Sequence, residues 1–280
     1  MIKKFLYIFC FLTFMPLYAV IDVACGTAPE KFIIEQIGGD KVNVFCVMPQ
    51  GKNIHDFAIT PDTVRKVSSA QVFFHTDLLF EQQLLKLLNP RKVRTFDLSR
   101  YIVKLIDEPV VNHHHRHHAH DVHTWFSYRS LYRMVEEAAK VLSEIDGKNA
   151  AFYFKNRTAL CQKINNSRHA AELKLRKYNQ RVFITHHAAF GYFANEFNLK
   201  QLPFEYNGRE ITPKNLAFVA REAKKYKVKR IFIQGNAPQN VRRAIQNATR
   251  AELVIINPDS YDVLAELDKF TAELEASFER

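Results

Sequence analysis

Cysteine is scarce and unclustered. Four occur in 280 residues, and no two stand in Cys-x-x-Cys spacing, so a cysteine-built zinc site is not indicated. No His-Glu-x-x-His segment is present, which removes the helical motif of the common zinc proteases. The net charge is +11, yet no zinc-finger spacing or basic stripe interleaved with aromatics accompanies it. Lysine and arginine are scattered. They form only short clusters, such as Lys224, Lys225, Lys227, Lys229 and Arg230, which suits the C-terminal end of a helix, where cations complement the dipole. No nucleic-acid partner is expected.

Long apolar runs are also missing, with one exception at residues 5–18. Lys3 and Lys4 precede that run and Ala19 follows it, the layout of a secretory signal peptide. The run is short for a membrane span. Residues 1–19 are therefore expected to be removed, with no stable membrane insertion afterwards. Asp22 stands three residues before Cys25, where a lipoprotein signal wants an aliphatic side chain, so a soluble exported protein is expected. Cys10 leaves with the signal. Export permits disulfides. Cys25 and Cys46 fall in two successive expected strands and can either bridge or stay as buried thiols, which leaves Cys161 unpaired.

Behind the signal, short apolar strands alternate with amphipathic helices. Strands are expected at residues 21–25, 42–48, 71–75 and 93–96, with helices at 29–37, from Pro61, and at 78–88. Gly38-Gly39 and Asn89-Pro90 act as stops. Such alternation indicates a parallel sheet with helices on its faces. A helix is expected at 125–145. Residues 148–178 then contain no proline or glycine and read as one long helix. The alternation restarts with strands at 182–185, 230–233 and 253–256, and helices at 188–197, from Thr212-Pro213 to about residue 226, at 238–249 and at 261–270. The expected fold is α/β, with two parallel-sheet lobes joined by one long helix: an N-terminal lobe at 20–145, a linking helix at 146–179 and a C-terminal lobe at 180–280. No internal sequence repeat relates the lobes. Ligands in such sheets bind outside the carboxyl ends of the strands, which places a site in the cleft between the lobes.

Seven of the twelve histidines lie in residues 112–125. His-rich tracts read as metal-binding, and the bland alternative is a solvated loop that takes metal incidentally. The strand-end rule selects differently. His55 follows the second strand, His123 the fourth and His187 the first strand of the second lobe. Three converging imidazoles make a competent zinc site. His186 neighbours His187, but adjacent strand residues face opposite ways. His75 reads as a packed strand-end residue and His169 as a solvated helix residue.

Several segments carry a resemblance. Pro49-Gln-Gly-Lys-Asn-Ile-His55 resembles a Pro-x-Gly-x-x-x-His loop, and Asp121-Val-His123-Thr-Trp125 an Asp-Pro-His-x-Trp motif. His187-Ala-Ala-Phe-Gly-Tyr-Phe193 is similar to a His-Asp-Ala-Phe-Gly-Tyr-Phe segment. The stretch from Ala70 to Glu81 and the turn Glu210-Ile-Thr-Pro213 add to these. Together they resemble the metal-binding solute-binding proteins of ABC importers, and within them the zinc-uptake branch. The resemblance implies that His55, His123 and His187 ligate metal, that the protein is no enzyme, that it is periplasmic, and that it is a monomer serving an ABC permease and its ATPase. The family's fourth ligand is an acid in a Leu-Asp-Pro-like turn. Here that turn is Ile256-Asn257-Pro258, so Asp259, water or a loop histidine is left as the fourth donor, or Asn257 through its own oxygen. Ala188 stands where the family has an acid. Imidazole donors favour Zn2+, with Mn2+ or Fe2+ as runners-up. His113, His114, His115, His117, His118 and His120, in the His-rich loop 112–123, are expected to be accessory metal sites. A secreted zinc hydrolase and an adhesin on the same scaffold are the alternatives.

Overall fold

The computed structural model describes residues 20–106, 120–205 and 211–279. The expected signal segment, most of the His-rich loop and Glu210 lie outside them.

The first lobe is built on β1 (Ile21–Cys25), β2 (Val42–Cys46), β3 (Val72–His75) and β4 (Arg94–Asp97), all parallel, in the order β2-β1-β3-β4. The crossovers are α1 (Ala28–Gly38), α2 (Pro61–Ser69) and α3 (Leu79–Leu87). Pro61 sits in the first turn of α2 and the Thr60 hydroxyl accepts from the Thr63 N–H, a cap that satisfies an otherwise orphaned donor. Then α4 (Tyr128–Ile145) starts later than the apolar pattern suggested. Ser127 caps it by accepting from Ser130 N–H, which leaves Trp125 and Phe126 in the turn before it, both fully buried.

A short 3-10 turn leads into α5 (Ala150–Leu175), 26 residues without a break, about 39 Å long at helical rise. The second lobe holds β5 (Val182–His187), α6 (Gly191–Glu196), β6 (Lys200–Glu205), α7 (Pro213–Lys225), β7 (Arg230–Ile233), α8 (Gln239–Thr249), β8 (Glu252–Ile255) and α9 (Val263–Phe278). Its strands run parallel in the order β6-β5-β7-β8. The two sheets thus share one topology, although no sequence repeat connects them. Strand β6 was not anticipated. It contains Pro203, which argues against a central strand, but β6 is an edge strand, where a missing N–H costs no ladder bond.

Of the two readings left open for Cys25 and Cys46, the structure shows the free thiols. The two residues are register partners in adjacent strands, yet both remain thiols, as does Cys161. Burial pushes the Cys25 thiol well up, so the reactive thiolate is suppressed there.

One apolar core runs through both lobes, between the sheets and the helices α1, α4, α5, α6 and α9. Phe270 is its hub. Its ring centroid lies 4.7 Å from Phe190, 4.9 Å from Phe193 and Phe232, 5.6 Å from Phe183 and 5.9 Å from Phe126. A second core fills the other face of the second sheet, under α7 and α8, with Val182, Ile184, Leu202 and Phe204.

Two buried acids tie the loops at the carboxyl edge of the first sheet. Glu30 accepts from the Gly26 N–H at 2.6 Å, the Thr27 N–H at 3.2 Å and the Thr76 hydroxyl at 2.9 Å. Glu81 accepts from the Thr76 N–H at 2.9 Å and the Leu78 N–H at 2.8 Å. Neither is exposed at all. A Cβ on Gly26 would stand 1.7 Å from Glu81 Oε1, so only glycine fits. Burial pushes Glu30 up to about 7 and Glu81 well above the ordinary carboxylate range, where the neighbouring Glu30 adds to the rise. Raised folded values mean that the stabilisation is complete below the unfolded value near 4.5 and is lost as pH climbs through about 7. Glu81→Gln mimics the protonated acid, keeping an oxygen for the two N–H groups and a donor for Glu30. Thermal unfolding of the variant should match wild type at pH 5 and exceed it at pH 8. A variant less stable at both values would contradict a shared proton.

Candidate functional site

The second strand, the long connection after β4, and β5 each deliver one histidine to the cleft. His55 lies in the loop after β2, where its own N–H donates to Asn53 Oδ1 at 2.9 Å and Ile54 beside it is buried. His123 sits just before the cap of α4. His187 is the last residue of β5. Alternation along β5 turns Val182 and Ile184 to the second core and Phe183 to the first, so His187, in phase with Phe183, emerges on the first core's side.

The three rings meet nitrogen to nitrogen. His187 Nε2 lies 3.1 Å from His55 Nε2 and 3.3 Å from His123 Nε2. Ring centroids are 4.9–5.6 Å apart with interplanar angles of 63–76°. Donors about 2.0–2.1 Å from a tetrahedral ion are separated by about 3.3 Å. The two separations from His187 are therefore those of neighbouring corners of a zinc coordination tetrahedron. Among the described residues, these three form the cluster whose ligand atoms all lie within 4.8 Å of one another.

Carboxylates address the outer edges of two rings. Asp121 Oδ1 accepts from the His123 backbone N–H at 2.9 Å and sits 3.0 Å from His123 Nδ1. Glu205 Oε1 sits 3.1 Å from His187 Nδ1. A carboxylate there holds the proton on Nδ1 and leaves Nε2 as a lone pair. Burial, reinforced by His123 and His187, holds His55 down at about 3, and burial holds His123 well below the ordinary imidazole value. Both are neutral near pH 7, so an arriving cation need not displace protons from them. Burial pushes Asp121 up to about 6 against the lowering pull of the His123 N–H. Burial raises Glu205, but the hydrogen bond from His187 together with the charges of His187, His186 and His55 more than offsets it and holds the carboxyl below the usual range. Gly191 belongs to this arrangement, since a Cβ there would lie 2.4 Å from Asp121 Oδ2.

The turn Asn257-Pro258-Asp259 faces the cluster from the second lobe. Trp125 Nε1–H donates to the Pro258 carbonyl at 2.9 Å, and its ring packs edge-on to His123 at 5.8 Å. The Asn257 side-chain oxygen accepts from the Asp259 N–H at 3.2 Å. Asp259 Oδ1 is buried without a hydrogen-bond partner. Burial pushes Asp259 up to about 6, and His187 opposes that rise.

The other histidines separate cleanly. His186 is buried, with Nε2 at 3.3 Å from Glu205 Oε2, and it stands outside the cluster. His75 is buried at its strand end and His169 is exposed. Within the loop, His120 is exposed and pairs with Ile106 in an isolated bridge. His113, His114, His115, His117 and His118 lie outside the described residues. Sequence reasoning missed Glu205 because it missed β6. The signal was there as an acid at the carboxyl end of an alternating run.

A family model for the periplasmic component A of zinc-uptake complexes, ZnuA, matches residues 23–272. The chain belongs to that family. A Chlamydia muridarum protein named for metal binding is 24% identical over 88% of this chain and 87% of its own length. The zinc-binding lipoprotein AdcA of Streptococcus pneumoniae is 26% identical over 82% of this chain, which corresponds to 48% of AdcA. Among solved structures, a ZnuA crystal structure superposes with a TM-score of 0.84 at 24% identity, covering 93% of this chain and all of the other. That likeness supports the two-lobed fold with its long linking helix. No helix among the described residues is long and apolar enough to cross a membrane.

Proposed function

We propose that this protein captures Zn2+ outside the cytoplasm and delivers it to an ABC-type importer. His55, His123 and His187 hold the ion through Nε2, and Asp259 supplies the fourth donor. The meeting of the Nε2 atoms carries the reading, because the two separations from His187, 3.1 and 3.3 Å, match a tetrahedral ion and the rings of His55 and His123 are neutral near pH 7. The orphaned oxygen of Asp259 supports the fourth position, since a buried unpaired acceptor is costly unless a ligand satisfies it. Three nitrogen donors favour zinc over manganese, which prefers oxygen-rich sites. The same reading takes the importer's permease and ATPase as partners, a periplasmic location and a monomeric chain, in keeping with the family, with the loop histidines as accessory sites.

A hydrolase would place a base beside metal-bound water. Asp121 and Glu205 are instead turned to the Nδ1 edges of the rings, the side away from the ion. Titration of the purified mature chain against a chromophoric zinc chelator tests the carrier reading. One tight site is expected, without turnover of ester or peptide substrates. Deleting residues 112–119 should remove weak additional sites and leave the tight one. Turnover that disappears with His187→Ala would overturn the proposal.

A further inference from the structure

We propose that Glu205 is the positioning residue that presets His187, holding its Nδ1 proton so that the Nε2 lone pair faces the other two imidazoles. The proposal rests on the reading that the three histidines hold zinc.

The pairing of strands brings the two residues together. His187 and Glu205 are register partners at the carboxyl ends of parallel β5 and β6. Leu202 and Phe204 turn to the second core, so alternation sends Glu205 to the face from which His187 emerges. Its two oxygens are then divided between two rings. Oε1 stands 3.1 Å from His187 Nδ1 and Oε2 stands 3.3 Å from His186 Nε2. The side chain is only 15% exposed, so water competes weakly for these contacts. A neutral imidazole carries one proton on either nitrogen, and only the form protonated on Nδ1 can offer Nε2 to a cation. Asp121 fixes that form for His123 from two residues away along the chain. Nothing local does so for His187, since the next residue is Ala188. The neighbouring strand supplies the acid instead.

The shared carboxylate also explains a buried histidine that takes no part in the cluster. His186 Nδ1 has no hydrogen-bond partner, so its proton belongs on Nε2, where Glu205 Oε2 accepts it. His186 therefore braces Glu205 through Oε2 while Oε1 serves His187. Without that brace the carboxylate could rotate away from the ring it serves.

Zinc dissociation constants from chelator competition, together with 15N shifts of the His187 ring in the zinc-free protein, test this on the full mature chain. Glu205→Ala should weaken zinc about 10–100-fold, as loss of a ligand-orienting partner does, and His187 should lose its uniform Nδ1–H form. Glu205→Gln keeps the shape and one acceptor oxygen and should fall between the two. His186→Ala should move affinity less than Glu205→Ala. If Glu205→Ala does not fold, as judged by circular dichroism, the Gln variant decides by the same two readouts. Wild-type affinity in the folded Glu205 variants, or weakened affinity with an unchanged His187 tautomer, would overturn the proposal. His123→Ala serves as the control for the underlying site. If it retained tight zinc, the three-histidine reading itself would fail and the role of Glu205 with it, whereas loss of zinc in His123→Ala with none in Glu205→Ala would sink the positioning role alone.

Discussion

His123→Ala should lose zinc affinity by about a thousand-fold or more, equivalent to about 4 kcal/mol of binding free energy. The ion loses one of three convergent nitrogens, and the site loses the ring on which His187 Nε2 converges at 3.3 Å. Asp121 is left facing a void, although the backbone N–H of residue 123 still donates to it. The buried carboxyl can then take up a proton, so the zinc-free fold should survive. Chelator competition reads the affinity and thermal unfolding of the zinc-free form reads the fold. His169→Ala, on the exposed face of the linking helix, is the matched control and should change neither. A variant that kept the affinity of the wild type would show that the ion sits elsewhere, with the loop histidines the first place to look.

Phe270→Ala should destabilise the protein by about 3–5 kcal/mol. The ring touches five other phenylalanines drawn from the segment before α4, from β5, from the cap and body of α6, and from β7. None of these neighbours can collapse into the vacancy without pulling on another element. For a domain of this size the melting temperature should drop by on the order of 10 °C. The core is continuous across the lobes, so unfolding should stay a single transition, displaced as a whole. Two separated transitions, with only the second lobe affected, would show that the lobes unfold independently. A loss under about 1 kcal/mol would mean the site repacks, which the fully buried ring and its close neighbours argue against.

Much of the architecture was legible because parallel strands buried on both faces read as short apolar runs, and the helices between them carry clear caps such as Thr60-Pro61 and Thr212-Pro213. Strand β6 was lost to Pro203, a residue whose meaning depends on whether the strand is central or at an edge, and that cannot be read locally. The common topology of the two sheets was invisible for a related reason. Buried strands need only suitable apolar volume, so two lobes can share strand order without sharing residues. His55, His123 and His187 could be picked out because each follows a strand, and strand ends converge. Glu205 and the orphaned Asp259 could not be weighed in that way. Their importance lies in what they face, and that is set by pairing and burial. The dense histidine run draws the eye, yet of its two members among the described residues, His120 and His123, it is His123 that joins the cluster.

The chain has a single tryptophan, and its position has a practical consequence. Trp125 is fully buried, edge-on to His123, with its N–H on the Pro258 carbonyl of the opposite lobe. Its fluorescence therefore comes from one known place, at the seam between the halves and one ring from the site. Arrival of an ion changes the charge beside the indole, and any parting of the halves would break its hydrogen bond and admit water. The protein carries its own optical gauge of loading and opening, and needs no added dye.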